Sequence, residues 1–134
     1  MSGLTRSDAA RLRALHCLAR MALRIGPPLR AKRLVDRIAS RFRPLRGVED
    51  AREAVRTLFP GGSCLSRAVA IAAAMPGADV VIGVNVWSAA RLSAHAWLEI
   101  DGTRVDTVPG DAEFPDELAR FPSRSLGGAE EAAP

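Results

Sequence analysis

Three side chains, far apart in the chain, have types and settings that could share one reaction: Cys64, His95 and Asp106. Cys64 follows Gly61-Gly62-Ser63 and leads into a run of small apolar residues. The glycine pair stops the preceding segment, Ser63 stands where a helix N-cap stands, and Cys64 takes the first helical position. The unpaired N–H groups of a helix start carry about half a positive charge. They favour thiolate over thiol, and the thiolate is the nucleophile. Arg67, one turn on and on the same face, adds to that field. Alone, such a cysteine reads as a buried structural residue. A second stretch, Ala94-His95-Ala96-Trp97-Leu98-Glu99, changes the reading.

That stretch alternates as a strand does and runs into Asp101-Gly102, a strong signal for a two-residue hairpin. With that turn, Ile100 faces Thr103, Glu99 faces Arg104, Leu98 faces Val105, Trp97 faces Asp106 and His95 faces Val108. Side chains alternate between faces, so His95, Trp97 and Glu99 share one face with Arg104, Asp106 and Val108. Ala96, Leu98, Ile100 and Val105 form the other, suited to packing on helices. His95 and Asp106 are then diagonal neighbours about 7–8 Å apart at the backbone, a gap that an imidazole and a carboxylate can bridge. A cysteine at a helix start, a histidine on a strand and an aspartate on the next strand follow the nucleophile, base and orienter logic of acyl transfer. Glu99 opposite Arg104 reads as a cross-strand ion pair. The backbone N–H of Cys64 is one expected oxyanion donor, with Asn85 a candidate for the second. Trp97 either shields the Cys–His pair or lies in the core.

The elements that must position these groups can be read in order. A helix capped by Ser7 puts Leu12, Leu15, Ala19, Ala22 and Leu23 on one face and ends at Gly26-Pro27-Pro28. His16 and Cys17 lie in it, about 100° apart around the axis, and read as structural. A second helix over 28–42 has Leu34, Val35, Ile38 and Phe42 inward. A third covers 48–58, and the helix begun by Cys64 covers 64–75. Strands follow at 80–87, 94–100 and 103–108, with 88–92 as a loop between the first two. A short helical piece is expected over 115–120. Helices first, then one helix leading into an antiparallel meander, make an α+β fold.

At 134 residues the chain is long enough for one domain with a real core. Residues 1–6 and 125–134 are expected as disordered ends. Two cysteines, Cys17 and Cys64, form no disulfide framework. Arg11, Arg13, Arg20 and Arg24 break every apolar run near the start, so no secretory signal is read there. A cytoplasmic location with reduced thiols is expected, and the longest apolar run is too short for membrane insertion. The net charge is +4, and Lys32 is the only lysine. With no tyrosine and only six Phe and Trp together, the basic stretch lacks the aromatic interleaving and the motifs of a nucleic-acid binder. No His/Cys spacing matches a metal site, and no phosphate loop follows Gly61-Gly62.

Cys64-Leu65-Ser66-Arg67-Ala68, then Val81-Ile82-Gly83-Val84, then His95-Ala96-Trp97-Leu98-Glu99 with Asp101-Gly102, resemble the transglutaminase-like peptidase of lasso-peptide biosynthesis, the protease half of the B-type maturation protein. The ordered match covers about 60–108. The resemblance implies a transglutaminase-like, papain-like cysteine protease fold, with Cys64 as nucleophile, His95 as general base and Asp106 as its orienter; Arg67 and Trp97 are site support by their positions alone. It implies removal of the leader from a ribosomally made precursor peptide, without a cofactor. It also implies two partners: a leader-binding recognition protein, and a macrolactam synthetase that uses ATP to close the ring. The basic helices from Arg20 to Arg56 are expected to dock the partner or the leader. Two other readings compete: a transglutaminase-like amidase or acyl transferase with another substrate, and a non-catalytic basic helical module for an acidic partner.

Overall fold

The computed structural model describes residues 3–88, 91–107 and 116–123, and of 85–88, 91–93 and 116 the backbone alone. Among the described residues four helices precede four strands: α1 (Arg6–Ile25), α2 (Pro28–Ala39), α3 (Gly47–Leu58), α4 (Cys64–Ala74), β1 (Ala78–Ser88), β2 (Arg91–Ile100), β3 (Thr103–Asp106) and β4 (Asp116–Phe121). The α+β expectation holds. All strand pairs are antiparallel, in the order β3-β2-β1-β4.

Helix α4, which begins at Cys64, is the centre of the molecule. From Ser66 to Ala73 every residue of α4 is buried. A helix apolar all round belongs inside, and its alanines let neighbours approach closely. The other three helices pack around it, and the sheet covers its remaining side with Val80, Ala96, Leu98, Ile100 and Val105. The opposite sheet face carries Asp79, Trp97, Glu99, Arg104 and Asp106, as the alternation requires.

The β2–β3 register is the one the hairpin predicts, from Ile100 opposite Thr103 to Trp97 opposite Asp106. Asp101 and Gly102 both have positive φ, 51° and 78°, which is the type I′ turn. Val108, the expected partner of His95, lies outside the described residues, as does 125–134.

Several expectations need correction. Of the segment read as helical over 115–120, residues 116–120 belong to β4, paired with β1, and 115 lies outside the described residues. Local helix propensity loses to the open edge of an apolar strand, where Phe121 falls opposite Val80 and Ala119 opposite Ile82. Arg120 fastens this strand by bonds to Asp79, Glu99 and Glu117. Those bonds hold its guanidinium above its ordinary pKa, Glu117 contributing most. Glu99 therefore pairs with Arg120, while Arg104 turns to Asp106. Of the expected loop over 88–92, Ser88 belongs to β1 and Arg91 and Leu92 to β2, with Ser88 opposite Arg91, and 89–90 lie outside the described residues. Helix α1 is capped by Thr5, not Ser7, since Thr5 and Asp8 form a reciprocal capping box. Residues 3–6 accordingly are not a frayed end: Leu4 packs on the core. Leu34, expected inward, is 39% exposed, because Val35 and Ala31 already supply the inward stripe of α2.

Candidate functional site

Cys64 is the first residue of α4 and is half-buried. Its N–H has no acceptor within the helix, as at any helix start. The cap before it is reciprocal: the Ser66 N–H donates to Ser63 Oγ at 3.1 Å, and the Ser63 N–H donates to Ser66 Oγ at 2.9 Å. The imidazole of His16, buried in α1, completes this cluster with Nε2 at 2.9 Å from Ser66 Oγ. The Ser66 hydroxyl can donate to the Ser63 carbonyl at 3.1 Å or to His16, so either tautomer of the neutral ring satisfies the set. Burial, then the charges of Arg20 and Arg67, lower the His16 pKa below its ordinary 6.5. Gly62, at φ 67°, passes so close that a Cβ there would sit 2.5 Å from His16 Nε2.

Arg67 is 4% exposed, and no carboxylate pairs with it among the described residues. Its guanidinium instead donates to the carbonyls of Thr107 at 2.9 Å and Gly61 at 2.7 Å, and lies 5.0 Å over the Phe59 ring. Burial pulls its pKa below the ordinary value, and the charge of Cys64 opposes that shift. Arg67 thus ties the glycine turn, the end of β3 and the start of α4 together, within electrostatic reach of the thiol.

His95 lies on β2 opposite Gly83 of β1 and is half-buried. The glycine puts no side chain beside the imidazole on that strand. Asp106 ends β3 opposite Trp97, on the face that carries His95. Its carboxylate accepts from Arg104 Nε at 2.7 Å. Among the described residues no hydrogen bond joins Asp106 to His95, or His95 to Cys64. Trp97 is 5% exposed on the face away from α4, with Arg104 4.2 Å above its ring and its indole N–H without a partner among the described residues. It therefore walls the sheet face beside His95 rather than packing in the helical core. The side chain of Asn85 lies outside the described residues.

What brings the three elements together is Thr107, 1% exposed. Its hydroxyl donates to the Ala96 carbonyl at 2.9 Å and lies 3.3 Å from the Cys64 carbonyl. Thr107 follows Asp106, and Ala96 follows His95. One hydroxyl therefore fixes the backbone beside all three sequence-predicted residues. Sequence reasoning missed Thr107, although the signal was there: by alternation it faces the helices, where a polar residue must find a partner. His16 likewise interrupts the inward stripe of Leu12, Leu15 and Ala19 with a polar group.

Among the described residues no group of three or more His, Cys, Asp or Glu side chains could hold a metal ion. No described helix is long and apolar enough to cross a membrane. A cysteine at the capped start of a central helix, a histidine on the adjoining strand and an aspartate on the next can carry out acyl transfer through sulfur. No curated protein and no solved structure matches the chain. Residues 8–121 match the profile of the transglutaminase-like superfamily, whose members are typically catalytic and include cysteine peptidases. With the match running from the first turn of α1 to the end of β4, the chain belongs to the transglutaminase-like superfamily.

Proposed function

We propose that the chain is a cysteine peptidase that removes the leader from a ribosomally synthesised lasso-peptide precursor. The observation that carries the reading is the junction at Thr107, which sets the start of α4 against the strands bearing His95 and Asp106. The motif resemblance around Cys64 and His95 supplies the substrate class. His95 takes the Cys64 proton, and the thiolate attacks the scissile carbonyl. The Cys64 N–H bonds the developing oxyanion. The C–N bond breaks as His95 returns the proton to the leaving amine, and water then hydrolyses the thioester. Asp106 orients His95 once the ring turns toward it, a step that competes with the Arg104 bond. The partners in this reading are a leader-binding protein, which presents the precursor, and a macrolactam synthetase, which closes the ring after cleavage.

A specific observation favours one other reading, a non-catalytic module: the Asp106 carboxylate is held by Arg104. Iodoacetamide labelling of Cys64 against pH, in a Cys17→Ser background, separates the two. The peptidase reading expects labelling that extends to lower pH in the parent than in its His95→Ala variant. It also expects cleavage of the precursor, with the leader-binding protein present, that Cys64→Ser abolishes. A thiol equally unreactive in both proteins, with and without that partner, refutes it. Cysteine-dependent release of ammonia from glutamine side chains, without leader cleavage, would instead mark an amidase of the same superfamily.

A further inference from the structure

The end of α1 and the first turns of α2 enclose an open groove of about 460 Å³. Ala22 and Ala31, both buried, form its floor, and Ile25 and Leu34 stand above them. Arg30, Arg33 and Arg37 line its edge along one face of α2. Single exposed apolar residues are ordinary on protein surfaces. Here Ile25 is 85% and Leu34 39% exposed, and both border the same concavity. The charge around it is of one sign. From Ala9 to Val35 the chain has no Asp or Glu. Asp36, the only acid of α2, is held by Lys32 at 2.7 Å. Among the described residues none of the three groove arginines pairs with a carboxylate.

We infer that this groove binds an acidic, amphipathic segment of another polypeptide, with apolar side chains seated between Ile25 and Leu34 and carboxylates on Arg30, Arg33 and Arg37. A phosphate backbone would leave Ile25 and Leu34 without a use, and the groove offers no aromatic ring for base stacking. A lipid surface rewards a protruding apolar ridge with Trp or Tyr at its margin, whereas this floor is recessed. The place is suggestive as well. Leu12 of α1 lies near Ala74, at the end of α4, and His16 lies against Ser66, near its start. Ile25 is therefore about 13 Å further along α1, at the end of the molecule where Cys64 lies. A polypeptide held there lies toward the same end of the molecule as Cys64, so the inference deepens the peptidase reading, but its test does not use Cys64.

The test uses fluorescence anisotropy with a short dye-labelled peptide carrying leucines at helical spacing between glutamates. The expected result is saturable binding that weakens about tenfold or more in Arg30→Glu/Arg33→Glu/Arg37→Glu, as loss of a complementary field requires. Ile25→Ser/Leu34→Ser should weaken it comparably. All five substituted groove residues are exposed, and circular dichroism melting confirms that the variants are folded. Several results overturn the inference: no saturable binding, equal affinity for a peptide with glutamine in place of glutamate, or triple-variant binding equal to the parent. So do two other occupants that appear without peptide binding. One is retention on anionic phospholipid vesicles; the other is a dimer in light scattering that the triple variant dissolves. A failure here leaves the Cys64 labelling result standing, and the reverse holds too.

Discussion

Replacing Gly62 by alanine isolates the cluster beneath Cys64. Two costs are expected. The first is conformational, since an L-residue in the left-handed region costs about 1–2 kcal/mol. Gly102, at φ 78° with nothing within 4 Å of an added Cβ, bears only this cost, so Gly102→Ala is the control. The second cost is contact. A Cβ on Gly62 meets Ser66 Oγ most closely, then His16 Nε2 at 2.5 Å and His16 Cε1 at 2.8 Å. Neither neighbour is the loose end of a long side chain. Ser66 is fixed by the capping box, and the His16 ring is buried. Making room separates Ser66 from His16 and weakens the cap, which costs about 1–2 kcal/mol for the cap and about 1 kcal/mol or more for the unmade buried hydrogen bond. Gly62→Ala should therefore lose about 2–3 kcal/mol more than Gly102→Ala. At this chain length that is a Tm about 6–10 °C lower, measured by parallel thermal and urea melts. Equal melting of the two variants would refute the reasoning, because it would mean that the Ser63, Ser66 and His16 set yields without cost.

Thr107→Val keeps shape but removes the hydroxyl that joins Ala96 to the start of α4. A loss of about 1–3 kcal/mol is expected in urea melts, together with slower iodoacetamide labelling of Cys64; unchanged labelling would mean that Thr107 is no hinge pin for the site. Because the folded pKa of His16 lies below 6.5, the unfolded chain takes up the proton first. The stability due to neutral His16 is complete above that value and is lost as pH falls through the lowered one. His16→Gln, which can still bond Ser66, should lose less stability than the parent on acidification, and parallel slopes of stability against pH would contradict this. Arg120→Gln removes the bonds to Asp79, Glu99 and Glu117. Amide exchange over 116–121 should speed up while α4 stays protected, and added salt should narrow the difference between the proteins.

The site was legible where the physics is local. Asp101-Gly102 dictates its own turn, and the turn sets every pair up to Trp97 and Asp106. Ser63 caps α4 for reasons contained within four residues. What stayed hidden depends on surfaces from elsewhere in the chain. The segment from Asp116 reads as helix until the free edge of β1 is known. The choice of Arg120 over Arg104 as partner for Glu99 follows from that same strand. The exposure of Leu34 follows from how α2 rotates onto α4. His16 had a visible polar interruption, but its partner Ser66 is 50 positions away, beyond the reach of any periodicity. The fastening of Asp106 by Arg104, two residues apart on one strand face, was within reach of the alternation rule, which puts both on one face.

Helix α1 touches both ends of this problem. One end borders the groove with Ile25, and its middle holds the cap of α4 through His16. A helix of this length moves as a rod, so tilting it by a few degrees carries Ile25 through about 1 Å over the distance that separates it from His16. An occupant of the groove that shifts α1 along its whole length would carry His16 with it and so disturb the hydrogen bonds under Cys64. Linkage makes the influence mutual: if groove binding changes the affinity at the thiol by some factor, a ligand bound at the thiol changes groove affinity by the same factor.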